Sequence, residues 1–392
     1  MDEIADVEQE LRRAAPHRLV DVVETALRER HGAGRVELRL ADYGLRTLQM
    51  VGRVPGAAPS VPIHDSPQGR AFGAQEPYAV PEADGSVVLH LPVTVRGDRL
   101  GVLTAGFPPG TDRAALLPGL GQICEALGHE ILVAERDTDL YVLARRATRL
   151  TLAAEMQWQL LPGRSCARPE FALGAHLEPA YAIFGDNYDW SVTGGRLTLT
   201  VTNGMGEGIE AALLTSLAVN ALRNARRAGL GLADQAALAD QAVYAQYRGA
   251  AFVSVLLLRF DLATGEVEAV DAGSPRMWRL RGQSVESVDF EAQLPLGMFE
   301  DSVYTPQHFS VRPGDRLLFG SDGVYDAVSP DGEGYGERAL ARAFRGTRLL
   351  PPAHVPQAVL RELAAHHGGV RLEDDALVLC LDWYGTPSTV SA

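Results

Sequence analysis

The most constraining feature of this chain is a series of apolar runs in its second half, separated by paired helical segments. Phe171–Glu178, Tyr188–Val192, Arg196–Thr202, Val253–Asp261, Val267–Asp271, Met277–Arg281, Leu317–Phe319 and Ala376–Trp383 read as strands. Helices are expected over Ile209–Arg227 and Leu232–Gln246, with further helical segments between Glu337 and Ala365. Long antiparallel stretches with helices between them predict a sheet-on-sheet core flanked by helices.

Four turns beside these runs carry polar residues next to glycine or to one another. They are Gly185-Asp186-Asn187-Tyr188-Asp189, Asn203-Gly204-Met205-Gly206-Glu207-Gly208, Ser321-Asp322-Gly323 and Glu373-Asp374-Asp375. Taken singly, each is an ordinary turn signal, and Glu373-Asp374-Asp375 reads equally as a solvated charge run. The glycine-rich loop before a helix invites a phosphate. It lacks both the dinucleotide-binding spacing and the lysine of a P-loop.

The first half reads differently. Apolar residues at helical spacing (Ile4, Val7, Leu11, then Leu19, Val22, Val23, Ala26 and Leu27) give helix over residues 3–30. Strand-like runs follow at Arg35–Leu40 and Leu45–Val51, then a Pro/Gly-rich loop from Pro55 to Gly73. Val87–Val95 and Leu100–Phe107, joined by Arg96-Gly97-Asp98, predict a hairpin, and a helix is expected over 111–135. This is an α/β sensory-type module. From 139 to 161 the chain has no Gly or Pro. Leu140, Leu143, Ala147, Leu150, Ala154 and Leu161 fall on a heptad, with Gln157 at a core position. That predicts one helix, read either as a dimer coiled coil or as an amphipathic helix packed on its own domain.

Composition narrows the chemistry. The 392 residues include no lysine, so all 36 basic residues are arginine, against 50 acidic ones, for a net charge of −14. Lysine-dependent chemistry is excluded: P-loop phosphate binding, protein kinases, Schiff-base aldolases and pyridoxal enzymes. The acidic balance argues against nucleic acid as a partner. Three scattered cysteines (Cys124, Cys166, Cys380) form no disulfide or zinc pattern. No run approaches a membrane span, and the acidic start is no signal peptide, so a cytoplasmic protein without a membrane partner is expected.

In their order, the motifs from Ala153 to Trp383 resemble the metal-dependent (PPM) serine/threonine protein phosphatases, in the bacterial group typified by the stage II sporulation protein E phosphatase. Ala154–Pro162 resembles the helix entering that domain, and Gly185–Asp189 its first acidic motif. Asn203–Gly208 with Ala211-Ala212-Leu213 resembles the Asp-Gly-Met-Gly loop and its helix, and Asp271–Pro275 the Asn-Ala-Gly-His-Pro segment. Pro295-Leu296-Gly297, Arg312–Asp315, Ser321–Val324 and Asp374-Asp375 complete the order. Residues 10–135, with Ser66–Phe72 and Leu91–Phe107, resemble a GAF domain.

The resemblance implies an α/β (α+β) chain in four parts: a GAF-like sensor at 1–135, a linker helix at 136–162, a PPM αββα sandwich of two antiparallel sheets at 163–385, and a disordered tail at 386–392. It implies two Mn²⁺ or Mg²⁺ ions held by Asp186, Asn203, Gly204, Asp322 and Asp374, a metal-activated water, and no further catalytic side chain. Oxygen donors at strand ends suit such ions. Gln157, Leu143 and Leu150 are the expected switch and linker residues. The implied partners are a phosphorylated protein substrate, commonly a STAS-type anti-anti-sigma factor in partner switching, an unknown small-molecule ligand of the sensor, and a second copy of the chain.

This sequence departs from the pattern at three points. Asn203 stands where the family has its bridging aspartate, Phe184 precedes Gly185-Asp186, and Leu377 replaces the usual threonine. Three readings of Asn203 stay open: a working phosphatase with altered metal demand, a pseudophosphatase that binds a phosphoprotein without hydrolysing it, and a substitution engineered to trap a complex. Asn203-Gly204 is also a deamidation-prone pair.

Overall fold

In the computed structural model, residues 2–52, 59–178, 185–368 and 374–386 are described. Phe184, Glu373, the 387–392 part of the expected tail and residues 53–58 of the expected loop and its approach lie outside them. The chain divides into two units, Met1–Arg149 and Leu150–Ala392.

The N-terminal unit opens with α1 (Asp2–Arg13) and α2 (Leu19–His31), so the expected first helix is two, interrupted where Pro16 begins a 3-10 turn. β1 (Arg35–Ala41), β2 (Thr47–Met50) and β3 (Val61–Pro62) follow, then α3 (Pro67–Ala74). All of helix α3 but its last residue lies in the stretch expected to be loop. Ser66 caps it by accepting the Gly69 N–H at 2.9 Å, and Pro67 occupies the first turn, where its missing N–H costs nothing. β4 (Tyr78–Pro81) precedes the predicted hairpin, β5 (Val87–Val95) and β6 (Asp98–Phe107). Its turn takes positive φ at both Arg96 (51°) and Gly97 (89°), the twist a two-residue hairpin favours. α4 (Arg113–Ala134), capped by Asp112, and the short α5 (Leu140–Ala144) complete the unit.

The six strands form one antiparallel sheet in the order β3-β2-β1-β6-β5-β4. Successive residues serve opposite faces. Leu40 and Leu103 pack with Val23, Leu27 and Leu127 of the helices, while Ala41 and Val102 pack with Phe72 of α3. The α/β architecture expected of this half is therefore present.

The single helix expected over 139–161 is not formed. α5 ends at Ala144, and α6 (Leu152–Leu160) starts afresh at a Thr151 cap whose hydroxyl accepts the Ala154 N–H at 3.1 Å. Tyr141, off the heptad, is fully buried in the N-terminal core, Leu143 is 38% exposed and Leu150 is 8% exposed in the other unit. Of the heptad positions, Leu140 and Leu143 lie in α5 and Ala154 and Gln157 in α6, while Ala147, Leu150 and Leu161 lie in neither helix, so no continuous helical seam is formed.

The C-terminal unit continues with β7 (Ser165–Ala167), β8 (Phe171–Glu178), β9 (Asp186–Thr193) and β10 (Arg196–Gly204). Next come α7 (Gly208–Arg227), α8 (Leu232–Tyr247), β11 (Val253–Asp261), β12 (Glu266–Ala272), β13 (Arg276–Arg281), β14 (Ser284–Ser287), β15 (Gln307–Ser310) and β16 (Arg316–Gly320). α9 (Asp322–Tyr325), α10 (Gly336–Gly346), α11 (Val355–His366) and β17 (Ala376–Trp383) close it. Two antiparallel sheets result, β15-β12-β11-β10-β9 and β14-β13-β16-β17-β8-β7.

Alternation again assigns the faces. Leu256 and Leu258 of β11 meet Leu317, Phe319, Leu379 and Leu381 between the sheets, while Val255 and Leu257 turn outward under Leu222, Leu232 and Ala236 of α7 and α8. Leu318, Val378 and Cys380 turn outward under Leu340, Phe344, Val359 and Leu363 of α10 and α11. The unit is the expected αββα sandwich. Covering both faces of each sheet is why its central strands read as nearly unbroken apolar runs. Among the described residues, no helix is long and apolar enough to cross a membrane.

Candidate metal centre

Strand direction gathers the acidic turns at one edge of the sandwich. β9 starts at Asp186 where its antiparallel neighbour β10 ends, and Asn203 lies opposite Asp186 in register. In the second sheet β16 ends just before Asp322, and β17 starts just after Asp374-Asp375. The predicted residues Asp186, Asn203, Gly204, Asp322 and Asp374 are therefore brought to one edge by four different strand ends.

Backbone contacts join the two sheets here. The Asp375 carboxylate accepts the Gly185 N–H at 3.1 Å and the Asp186 N–H at 3.3 Å. Gly185 adopts φ 136°, and a Cβ there would lie 2.1 Å from the Gly204 carbonyl oxygen, so only glycine fits. Its own carbonyl accepts both the Gly204 N–H (3.1 Å) and the Thr215 hydroxyl of α7 (2.9 Å). Gln157 of α6 is buried, and its side-chain amide donates to the Asp186 carbonyl. Arg223 of α7 fixes α6 further. It donates to the Leu160 carbonyl (2.6 Å) and pairs with Asp189 on β9, which also holds Arg226. Asp189, part of the first acidic motif, is thus an ion-pair residue.

The electrostatics are those of an acidic cluster short of positive charge. Asp186 is 2% exposed, and its Oδ2 is buried without a hydrogen-bond partner among the described residues. Burial holds its carboxyl well above the ordinary range, the Asp375 charge adds to this, a hydrogen bond from Ser321 opposes it, and Asp322 and Asp374 add again. Ser321 Oγ accepts the Leu377 N–H at 2.9 Å. Asp322 is raised by burial and then by Asp374. An unpartnered buried carboxylate oxygen among other carboxylates fits a hard divalent cation.

Asn203 fits less simply. Its side-chain N–H donates to Asp322 Oδ1 at 2.7 Å, and Gly323 N–H reaches the same oxygen at 3.0 Å. The amide thus presents a donor to the carboxylate with which an aspartate would share a cation. Asp374 is exposed and accepts the Asp375 N–H at 2.8 Å. Among the described residues, no three His, Cys, Asp or Glu side chains converge on one point as a ready metal shell.

Three participants were not among the expected site residues. Asp375 is the buried member of its pair and ties the sheets together. Tyr325 donates from its hydroxyl to the Ser274 carbonyl at 2.6 Å, linking α9 to the 271–275 turn. Arg276 lies over the Tyr325 ring, 4.1 Å from its centroid, and is exposed on that side of the cluster. Its signal was position alone, immediately after the Asp271–Pro275 motif. Other motif pieces are structural: Gly297 N–H donates to Asp240 at 2.8 Å, and Asp315 takes both arms of Arg281 at 2.7 Å.

Residues 193–384 match the model of the stage II sporulation protein E (SpoIIE) family. Protein IcfG of Synechocystis is 19% identical over 253 residues, covering 57% of this chain, and the chain spans 40% of that relative. Among solved structures, the SiaA-PP2C domain of Pseudomonas aeruginosa is 22% identical with a TM-score of 0.50, covering 59% of this chain and 94% of that one. The RsbU and RsbW domains of a Mycobacterium tuberculosis protein are 23% identical with a TM-score of 0.49, covering 56% and 62%.

Proposed function

The C-terminal unit being a SpoIIE-type domain with the PPM (PP2C) serine/threonine phosphatase fold, we propose that it hydrolyses phosphoserine and phosphothreonine esters on a protein, using Mn²⁺ or Mg²⁺. The observation that carries this is the buried Asp186 Oδ2, without a hydrogen-bond partner among the described residues and set among Asp322, Asp374 and Asp375. When bound, such ions supply an activated water and neutralise a phosphate oxygen. Asp186, Asp322 and Asp374 would hold them. Asp375 positions Asp186 by accepting its backbone N–H, and Gln157 fixes the adjoining carbonyl. Arg276, braced on Tyr325, would take a phosphate in bidentate fashion, which guanidinium geometry favours. The three cysteines are buried, consistent with hydrolysis without a thiol nucleophile.

A second reading is supported by the Asn203–Asp322 hydrogen bond. It closes part of the edge without a cation, as expected of a phosphoprotein-binding pseudophosphatase. Assays on an aryl phosphate and a phosphopeptide with Mn²⁺ separate the two. Activity of the native chain that Asp322→Ala abolishes supports the enzyme, whereas activity only after Asn203→Asp supports the pseudophosphatase.

In this proposal the N-terminal unit is a GAF sensor for a small molecule, and the phosphoprotein is a STAS-type partner in a cytoplasmic partner-switching pathway. The family resemblance supports these points. The contact of α6 with Asp186 through Gln157 offers a route by which a signal reaches the site. Self-association through the 139–161 region is tested by Leu143→Glu alone, because Leu150 is buried in its own unit. Light scattering showing an unchanged dimer mass for that variant removes Leu143 from the interface.

A further inference from the structure

On the outer face of the second sheet, α10 and α11 bound a cleft of about 500 Å³. The sequence explains why it exists. Large side chains of both helices (Leu340, Phe344, Val359, Leu363) point down onto the sheet. The residues facing across the gap are small: Ala339 and Ala343 on one helix, Ala358 and Ala365 on the other. The helices therefore meet over the sheet while the space between their upper faces stays unfilled.

The walls are polar. Arg342 lines the cleft from α10, and Arg361 and Glu362 line it from α11. Tyr335 closes one end. Its backbone N–H is fixed to the Ala327 carbonyl at 2.7 Å, and its ring lies against His366 at 5.2 Å between centroids. The phenol is 2% exposed, yet its hydroxyl has no hydrogen-bond partner among the described residues. Burial raises its titration, Glu362 adds to that and Arg342 opposes it, so both charges act on the hydroxyl from the walls of the same cleft. A buried donor without an acceptor is rare in folded proteins and calls for an explanation.

We propose that the α10–α11 cleft binds a small organic anion, its apolar body lying on the alanine floor and its charged group set between Arg342 and Arg361, where it accepts the Tyr335 hydroxyl hydrogen. The volume lies within the range of small-molecule sites, and a few polar groups around an apolar floor are their usual composition. Glu362 removes one of the two positive charges from the walls, which favours a singly charged head group over a polyphosphate. None of the lining residues belongs to the acidic edge, and binding here needs neither a metal nor phosphatase activity.

The test is a fluorescence titration of the full chain with 8-anilinonaphthalene-1-sulfonate in EDTA, which keeps metal-bound anion out of the signal. Saturable binding is expected. Ala343→Trp, which fills the cleft, should weaken it about 10-fold or more, as should the Arg342→Ala/Arg361→Ala pair, on the scale of a lost charge-assisted contact. Tyr335→Phe should weaken it several-fold at an unchanged melting temperature. Ala358→Leu serves as the filling variant if Ala343→Trp misfolds. Wild-type affinity in a folded, cleft-filled variant overturns the site. Equal losses for the uncharged N-phenyl-1-naphthylamine on removing the arginines overturn the anion assignment.

Discussion

Replacing Asn203 by aspartate restores the charge that the family pattern expects and removes a hydrogen-bond donor, so its effect must depend on metal. The side-chain N–H of Asn203 lies 2.7 Å from Asp322 Oδ1. Two full charges at that separation repel by about 6 kcal/mol at an effective dielectric of about 20. Both side chains are partly exposed, which reduces this to about 1–2 kcal/mol. Loss of the amide bond to a charged acceptor adds roughly 1.5 kcal/mol or more. The metal-free variant should therefore be less stable by about 3 kcal/mol, a fall of roughly 6–12 °C for a domain of this size. Mn²⁺ at about 100 times its dissociation constant returns about 2.7 kcal/mol. Differential scanning fluorimetry in EDTA and across a Mn²⁺ series, with aryl phosphate hydrolysis measured in parallel, reads both halves. The variant should melt lower in EDTA, gain more from Mn²⁺ than the native chain, and reach half-maximal activity at lower Mn²⁺. If it co-melts with the native chain in EDTA and shows the same Mn²⁺ shift, the hydrogen bond does not hold this edge and the reasoning fails.

Three further outcomes follow from the same geometry. Arg276→Ala should lower kcat/KM on a phosphopeptide about 10–100-fold, with partial recovery in Arg276→Lys, and steady-state kinetics decide it. Gln157→Ala leaves the buried Asp186 carbonyl without this donor, so it should destabilise the C-terminal unit by about 1–3 kcal/mol and weaken Mn²⁺ binding, read by urea melts and calorimetry. Burial lifts Asp271 from the ordinary 3.8 to about 6. A carboxyl raised on folding contributes stability that is complete below 3.8 and is lost as pH rises through 6, so Asp271→Asn should match the native chain near pH 3.5 and, with its partial exposure screening the effect, exceed it by about 1–2 kcal/mol at pH 7.5.

The sandwich was legible wherever burial on both faces writes itself into the chain. Val253–Asp261 and Ala376–Trp383 occupy the expected bounds because each is a central strand with helices on one side and the other sheet on the other. β14 and β15 are mostly exposed edge strands and β7 is a three-residue one, so no apolar run marked them. The 139–161 helix failed for a related reason. A heptad count records spacing and says nothing of which core each residue enters. Tyr141 and Leu150 are buried in different units, and the Thr151 cap starts a new helix between the two halves of the pattern.

At the acidic edge, residue type was readable and direction was not. Asp374 and Asp375 are adjacent and identical, yet one is exposed and the other is buried, accepting two backbone N–H groups of the opposite sheet. Only the entry of β17 into the sheet distinguishes them. The same limit governs Asn203. As a letter in the sequence it is a missing negative charge, which counts purely as lost affinity for cations. As placed, it is also a gained donor, and it satisfies one oxygen of Asp322 that a second carboxylate would repel. In the proposed metal site the amide therefore lowers the affinity for a cation and the need for one together, while Asp186 Oδ2 is a buried carboxylate oxygen with no hydrogen-bond partner among the described residues. An edge arranged this way should take up its metal first at Asp186, so Asp186→Asn should cost the native chain more Mn²⁺ affinity than Asp322→Asn, and the reverse order in a calorimetric titration would place the primary site at Asp322 instead.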